Sequence, residues 1–102
     1  MEAMNLTYWV YILYCENNTY YTGYTTNIDK RYQQHINGTS KCKYTRSFKP
    51  VALAQCWKIN NDKSHAMKIE AFIKKLSRVQ KEKIIRHPSL LLINDKIELA
   101  TK

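Results

Sequence analysis

Acid is scarce in this 102-residue chain: 8 Asp and Glu stand against 17 Lys and Arg, a formal net charge of +9 at pH 7. Glycine and proline are rarer still, at 2 each, and beside a 44% hydrophobic fraction that scarcity excludes a disordered, collagen-like or linker-like chain. Repeats of solenoid period are missing, and the length suits one domain of ordinary size rather than two cores. Long apolar runs are absent too. The longest, residues 9–15, is closed by Glu16 and falls far short of the roughly 20 residues a membrane span requires. With Glu2 where a signal peptide would begin with basic residues, a cytoplasmic location is expected. The cysteines, Cys15, Cys42 and Cys56, are odd in number and widely spaced, which signals neither a disulfide framework nor a zinc site. Cys42, between Lys41 and Lys43, reads as an ordinary thiol in a polar loop.

What is present is positive charge, unevenly placed. Residues 28–87 hold 15 basic and 4 acidic side chains, a balance of +11, whereas residues 1–27 carry −2 and residues 88–102 carry zero. Such a surface suits a polyanion, because each neutralised phosphate releases counterions. An anionic membrane would instead call for a basic amphipathic helix with bulky aromatics on its apolar side, and only Phe72 qualifies. Nucleic acid is the expected partner and no membrane is expected.

Residues 7–14, Thr-Tyr-Trp-Val-Tyr-Ile-Leu-Tyr, are almost wholly β-branched or aromatic and predict a central strand. After the turn residues 16–19, residues 20–25 predict its antiparallel partner, with Gly23 allowing a close approach. Asn27 is a good N-cap for a helix over 28–36, stopped by Asn37-Gly38. Residues 39–50 read as a long polar, basic loop, and a third strand over 51–59 follows. Ser64 is expected to cap a helix with Ile69, Phe72, Ile73 and Leu76 as its apolar stripe, and the Ser77-x-x-Gln80 capping box starts another that runs to Pro88. The tail, with apolar residues 90–93 and 97–99, fits a strand or a helix equally. The fold class is therefore α+β, a small three-stranded antiparallel sheet flanked by helices in the order β-β-α-β-α-α.

The same elements carry parts for cutting a phosphodiester: a base for water, a cation for the charge building on phosphorus, and commonly a metal ion for the leaving oxygen. Tyr11 and Tyr21 lie on the paired strands, and nearby cations would favour a phenolate. Arg31 is suited to clamp a phosphate, and His35, one helical turn on, to accept or relay a proton. Glu70 stands in a helix poor in acid. Without a second carboxylate at ligand spacing, one Mg²⁺ or Mn²⁺ held by Glu70, waters and substrate phosphate is expected rather than two metals. Simpler readings compete: tyrosines packing in a hairpin, a solvated face at Arg31 and His35, and an i,i+4 ion pair of Glu70 with Lys74.

Taken together, these residues resemble the GIY-YIG endonucleases, in particular small standalone bacterial members. Trp9-Val10-Tyr11 stands where GIY would, Tyr21-Thr22-Gly23 where YIG would, and Arg31, His35, the Lys43-Tyr44-Thr45-Arg46 segment and Glu70 follow in the family's order. The resemblance implies a nuclease-like domain over residues 1–87, with residues 88–102 a tail packed on it or extending it. It also implies that Tyr11 is the water-activating base with support from Tyr21, that Arg31 holds the phosphate, and that Glu70 holds a single divalent cation. His35 is counted among the catalytic residues, and Gly23, Lys41, Lys43, Tyr44 and Arg46 among those binding nucleic acid. Trp9 in place of the motif's first glycine and Thr22 in place of its isoleucine remove no chemical group but alter the shape of the cleft. The expected activity is metal-dependent nicking or cleavage of DNA, with RNA as an alternative, chosen by structure rather than sequence, as in DNA repair. Room remains for a protein partner that supplies specificity. The rival is a non-catalytic nucleic-acid-binding module using the same basic surface.

Overall fold

A computed structural model describes residues 6–38, 42–60, 62–91 and 97–100. Strand β1 (Thr7–Cys15) pairs antiparallel with β2 (Tyr20–Thr25) on one side and with β3 (Pro50–Asn60) on the other. The three-stranded sheet is thus present, with the aromatic first run as its centre. A fourth strand, β4 (Ile97–Ala100), pairs with the outer edge of β3, so the order is β2-β1-β3-β4 and the ambiguous tail resolves in part as a strand.

Both faces of β1 are covered, which explains why its sequence is apolar throughout instead of alternating with polar residues. On one face Val10 and Ile12 join Trp57 and Ile59 of β3 against helices α3 (Lys63–Lys74) and α4 (Arg78–Arg86), through Ala66, Ile69, Ile73 and Ile84. On the other, Tyr11, Leu13, Cys15 and Cys56 pack with Ile28 and Tyr32 of helix α1 (Ile28–Asn37) and with Tyr44 of helix α2 (Lys43–Ser47). All three cysteines are free and buried, including Cys42, which is no exposed loop thiol. Among the described residues no helix is long and apolar enough to cross a membrane.

Local chemistry sets the helix boundaries. The Asn27 side chain accepts from the Lys30 amide at 3.1 Å, and Gly38 closes α1 in the left-handed region at φ 65°. The capping box of α4 forms as its spacing predicts: Ser77 accepts from the Gln80 amide at 3.2 Å and Gln80 returns the bond at 3.0 Å. Two expectations change. Asp62, not Ser64, caps α3, accepting from the His65 amide at 2.9 Å. In a run of adjacent capping-competent residues, the one whose backbone is extended takes the role. The polar segment after α1 contains the short helix α2, whose five residues offer no apolar period to read. Helix α4 is tied to the β1–β2 turn by Arg78, which donates to the backbone and side-chain oxygens of Asn18 and lies 4.9 Å from the Tyr20 ring centroid.

Gly23 faces Tyr11 across the strand pair, and a Cβ there would lie 2.6 Å from the Tyr11 hydroxyl oxygen and 2.8 Å from Cζ. Its missing side chain is the clearance the tyrosine ring occupies. Gly23→Ala is expected to destabilise the protein by roughly 1–3 kcal/mol in denaturant unfolding, the usual cost of overpacking a tight core; an unchanged midpoint would show that the ring moves aside freely.

Candidate active site

Alternation along β1 sends Tyr11 to the α1 side of the sheet, and the i,i+4 spacing puts Arg31 and His35 on one face of α1. The three meet in the core. Tyr11 and His35 are each 1% exposed, with Tyr11 Oη 2.8 Å from His35 Nε2. The Arg31 guanidinium hydrogen-bonds to the same hydroxyl. His35 Nδ1 lies 2.7 Å from Oγ1 of Thr45, which is fully buried, and Thr45 in turn donates to the Cys42 carbonyl at 3.3 Å.

This chain of bonds assigns the protons. The single hydroxyl hydrogen of Thr45 goes to the Cys42 carbonyl, so Thr45 accepts from Nδ1–H of His35. Nε2 is then the bare nitrogen, and Tyr11 donates to it while accepting from Arg31. The result is a directed relay, Tyr11 to His35 to Thr45 to the main chain, with a base at its centre.

Burial governs the ionisation of both central groups. Desolvation lowers His35 to about 4, helped by the charge of Arg31. Desolvation also raises Tyr11 to about 12 and outweighs the opposing hydrogen bond from Arg31. The phenolate expected from the cationic sequence is therefore not the resting form; Tyr11 rests as a neutral phenol.

Aromatic rings enclose the relay. The Tyr21 ring sits edge-on to His35 at 5.2 Å and stacks on Tyr44 at 5.6 Å, and Tyr44 leans on Phe48 at 5.3 Å. The Tyr44 hydroxyl bonds with Thr19 and accepts from Asn17 at 3.2 Å, which pins α2 to the hairpin turn. Arg31 also donates to Gln34 at 3.0 Å and lines a cleft that opens at the end of the sheet.

Of the residues read from sequence as catalytic, the structure gathers Tyr11, Tyr21, Arg31 and His35. Glu70 comes from another layer of the fold. Helix α3 packs on the opposite face of the sheet, where the Glu70 carboxylate, 20% exposed, pairs with Lys74 at 3.5 Å, the simple i,i+4 partner. It does share a helix face with Lys63, seven residues earlier and a wall of the cleft that Arg31 also lines. Of the residues read as binding nucleic acid, Tyr44 is half-buried in the aromatic stack, Arg46 is exposed and packs against Gly38, and Gly23 is buried under Tyr11. Lys43 opens α2, and Lys41 lies outside the described residues. Sequence reasoning gave Thr45 and Gln34 no role. The i,i+3 spacing from Arg31 was signal enough for Gln34, whereas nothing local marks Thr45, which reaches His35 only because α2 folds back on α1.

The chain is similar to several known proteins. Residues 7–83 match the family model described as the GIY-YIG catalytic domain. A UPF0213 protein of Syntrophus aciditrophicus is 45% identical over 78 residues, covering 76% of this chain and 88% of its own. A UPF0213 protein of Halobacterium salinarum is 47% identical over 73 residues, covering 72% and 92%. The solution NMR structure of a UPF0213 protein from Bacillus halodurans is 39% identical, with a TM-score of 0.48 over 80% of this chain and 85% of that one.

The lowered imidazole has a consequence for stability. When unfolded, His35 takes up a proton near its ordinary 6.5; when folded, only near 4, so between these values the unfolded state binds more protons. Stability contributed by the neutral ring is fully present above pH 6.5 and is lost as the pH falls toward 4. In denaturant titrations over this window, the wild type is expected to lose roughly 2–3 kcal/mol more than His35→Gln; equal losses would mean the ring titrates normally.

Proposed function

The chain belongs to the GIY-YIG family, and from that membership and the buried relay we propose that it is a phosphodiesterase that nicks or cleaves DNA by hydrolysis. The single observation that carries this reading is the Tyr11 hydroxyl held between a proton acceptor and a guanidinium. A structural tyrosine needs only one partner; this one has a base on one side and an anion-binding cation on the other.

In the mechanism the scissile phosphate is held by Arg31, whose guanidinium offsets the charge building on phosphorus. Gln34 holds that side chain in place from the next turn. Water attacks phosphorus while its proton passes to Tyr11 Oη, and the Tyr11 proton passes to Nε2 of His35. No phenolate has to form beforehand, so a phenol raised to about 12 can serve. The phosphodiester's negative charge also offsets the Arg31 charge that helps hold His35 low, so substrate binding strengthens the terminal base. Thr45 keeps the imidazole in the tautomer that accepts, and Tyr21 walls the ring from the side.

Among the described residues no three His, Cys, Asp or Glu side chains form a metal cluster. Glu70 offers one carboxylate, the oxygen donor that a hard cation such as Mg²⁺ or Mn²⁺ accepts, with water and phosphate oxygens completing its shell. Glu70 is the residue assigned to hold it, on the α3 face that runs from the cleft at Lys63. When bound, such an ion supplies charge for the departing 3′ oxygen. Selection by DNA shape follows from a surface that meets phosphates with Lys and Arg.

The test measures cleavage of branched, flapped, single-stranded and duplex DNA and matched RNAs, with Mg²⁺ or Mn²⁺, by wild type, Tyr11→Phe, Arg31→Ala and Glu70→Gln. Each substitution is expected to lower the rate at least about 100-fold, the usual cost of removing a general base or a charge stabiliser. Substrate binding should stay within a few-fold for Tyr11→Phe. Binding without cleavage by the wild type would establish the non-catalytic module instead.

A further inference from the structure

The cleft beside Arg31 encloses about 810 Å³, several times what one phosphate group needs and within the size range of small-molecule sites. Its charged lining is Lys30, Arg31 and Lys63, with no carboxylate among the lining residues. Two aromatic residues, Tyr8 and Tyr24, form part of its wall. They are diagonal neighbours on the α3 face of β1 and β2, half-buried against the core, which fixes their position from behind. The Tyr24 segment leads through Thr25, Thr26 and Asn27 directly into α1, so the cleft joins the two faces of the sheet at its end.

We infer that this cleft binds a nucleotide of an unpaired nucleic-acid strand, its phosphate between Lys30 and Lys63 and its base against Tyr8 and Tyr24, next to the phosphate held by Arg31. Cations without acids select an anion, and the rings add a platform for a flat base. Paired and stacked bases cannot enter a cleft of this kind, because each is already covered on both faces by its neighbours; an unpaired base pays no such unstacking cost. Arg31 belongs to both the cleft and the relay, so a strand seated here continues across the reaction centre. The inference deepens the nuclease reading and rests on it only in treating the adjoining phosphate as scissile.

The experiment is equilibrium binding in EDTA, where no metal-dependent cleavage proceeds, of a labelled 12-nucleotide single-stranded DNA and of a 12-base-pair duplex. Wild type is expected to bind the single strand at least tenfold more tightly. Tyr24→Leu, which keeps apolar bulk but removes the aromatic face, should weaken single-strand binding about tenfold, while Tyr24→Phe stays within twofold of wild type. Lys63→Ala, an exposed position that leaves the core untouched, should weaken it about fivefold and reduce the salt slope by about 0.7. All three should bind duplex within twofold of wild type. Equal affinity for the two DNAs, identical behaviour of the Leu and Phe variants, or Lys63→Ala without effect would each overturn the cleft assignment. Selective single-strand binding in a protein that never cleaves would uphold the cleft and remove the nuclease reading.

Discussion

Burying the hydroxyl of Tyr11 is the constraint around which this molecule is arranged. A phenol oxygen in a core costs free energy unless its hydrogen-bonding capacity is met, and here it is met by His35 and Arg31. Meeting it has consequences outward. His35 must be held in one tautomer, which requires Thr45, and Thr45 requires α2 to dock on α1. The ring requires space on β2, which Gly23 leaves open. Interactions that stabilise the fold are thus the ones on which the proposed proton transfer relies.

The two-faced sheet divides the labour. The relay lies on the α1 face beside the Tyr21 ring, where burial keeps the imidazole and the phenol uncharged. The α3 face carries Glu70 and a larger apolar core. The faces communicate at the end of the sheet, where the turn from β2 into α1 brings Arg31 and Lys63 to one cleft. Under the proposed function, a nucleic-acid strand laid across that end meets positive charge from both layers.

Much of this was legible in order along the chain. The strands announce themselves because a sheet covered on both sides demands apolar residues without alternation, as in Trp9-Val10-Tyr11-Ile12-Leu13. Helices α1 and α4 are marked by caps that depend on two or three neighbouring residues, Asn27 with Gly38 and Ser77 with Gln80. Helix α2 is not legible as a helix because a single turn is held by tertiary contacts, here Tyr44 against Tyr21 and Thr19, which leave no period behind.

Sequence alone therefore marked three groups that meet in the fold, Tyr11, Arg31 and His35, and the excess positive charge of residues 28–87, because residue type and helical spacing are local properties. Only the tertiary structure decided how those groups are charged and which stand together. It made Tyr11 a neutral donor instead of a phenolate, brought in Thr45, and set Glu70 on the far face beside Lys74. The physical reason is that ionisation depends on desolvation and on charges brought close by folding, and the face a helix covers depends on chain topology; neither is encoded at any single position.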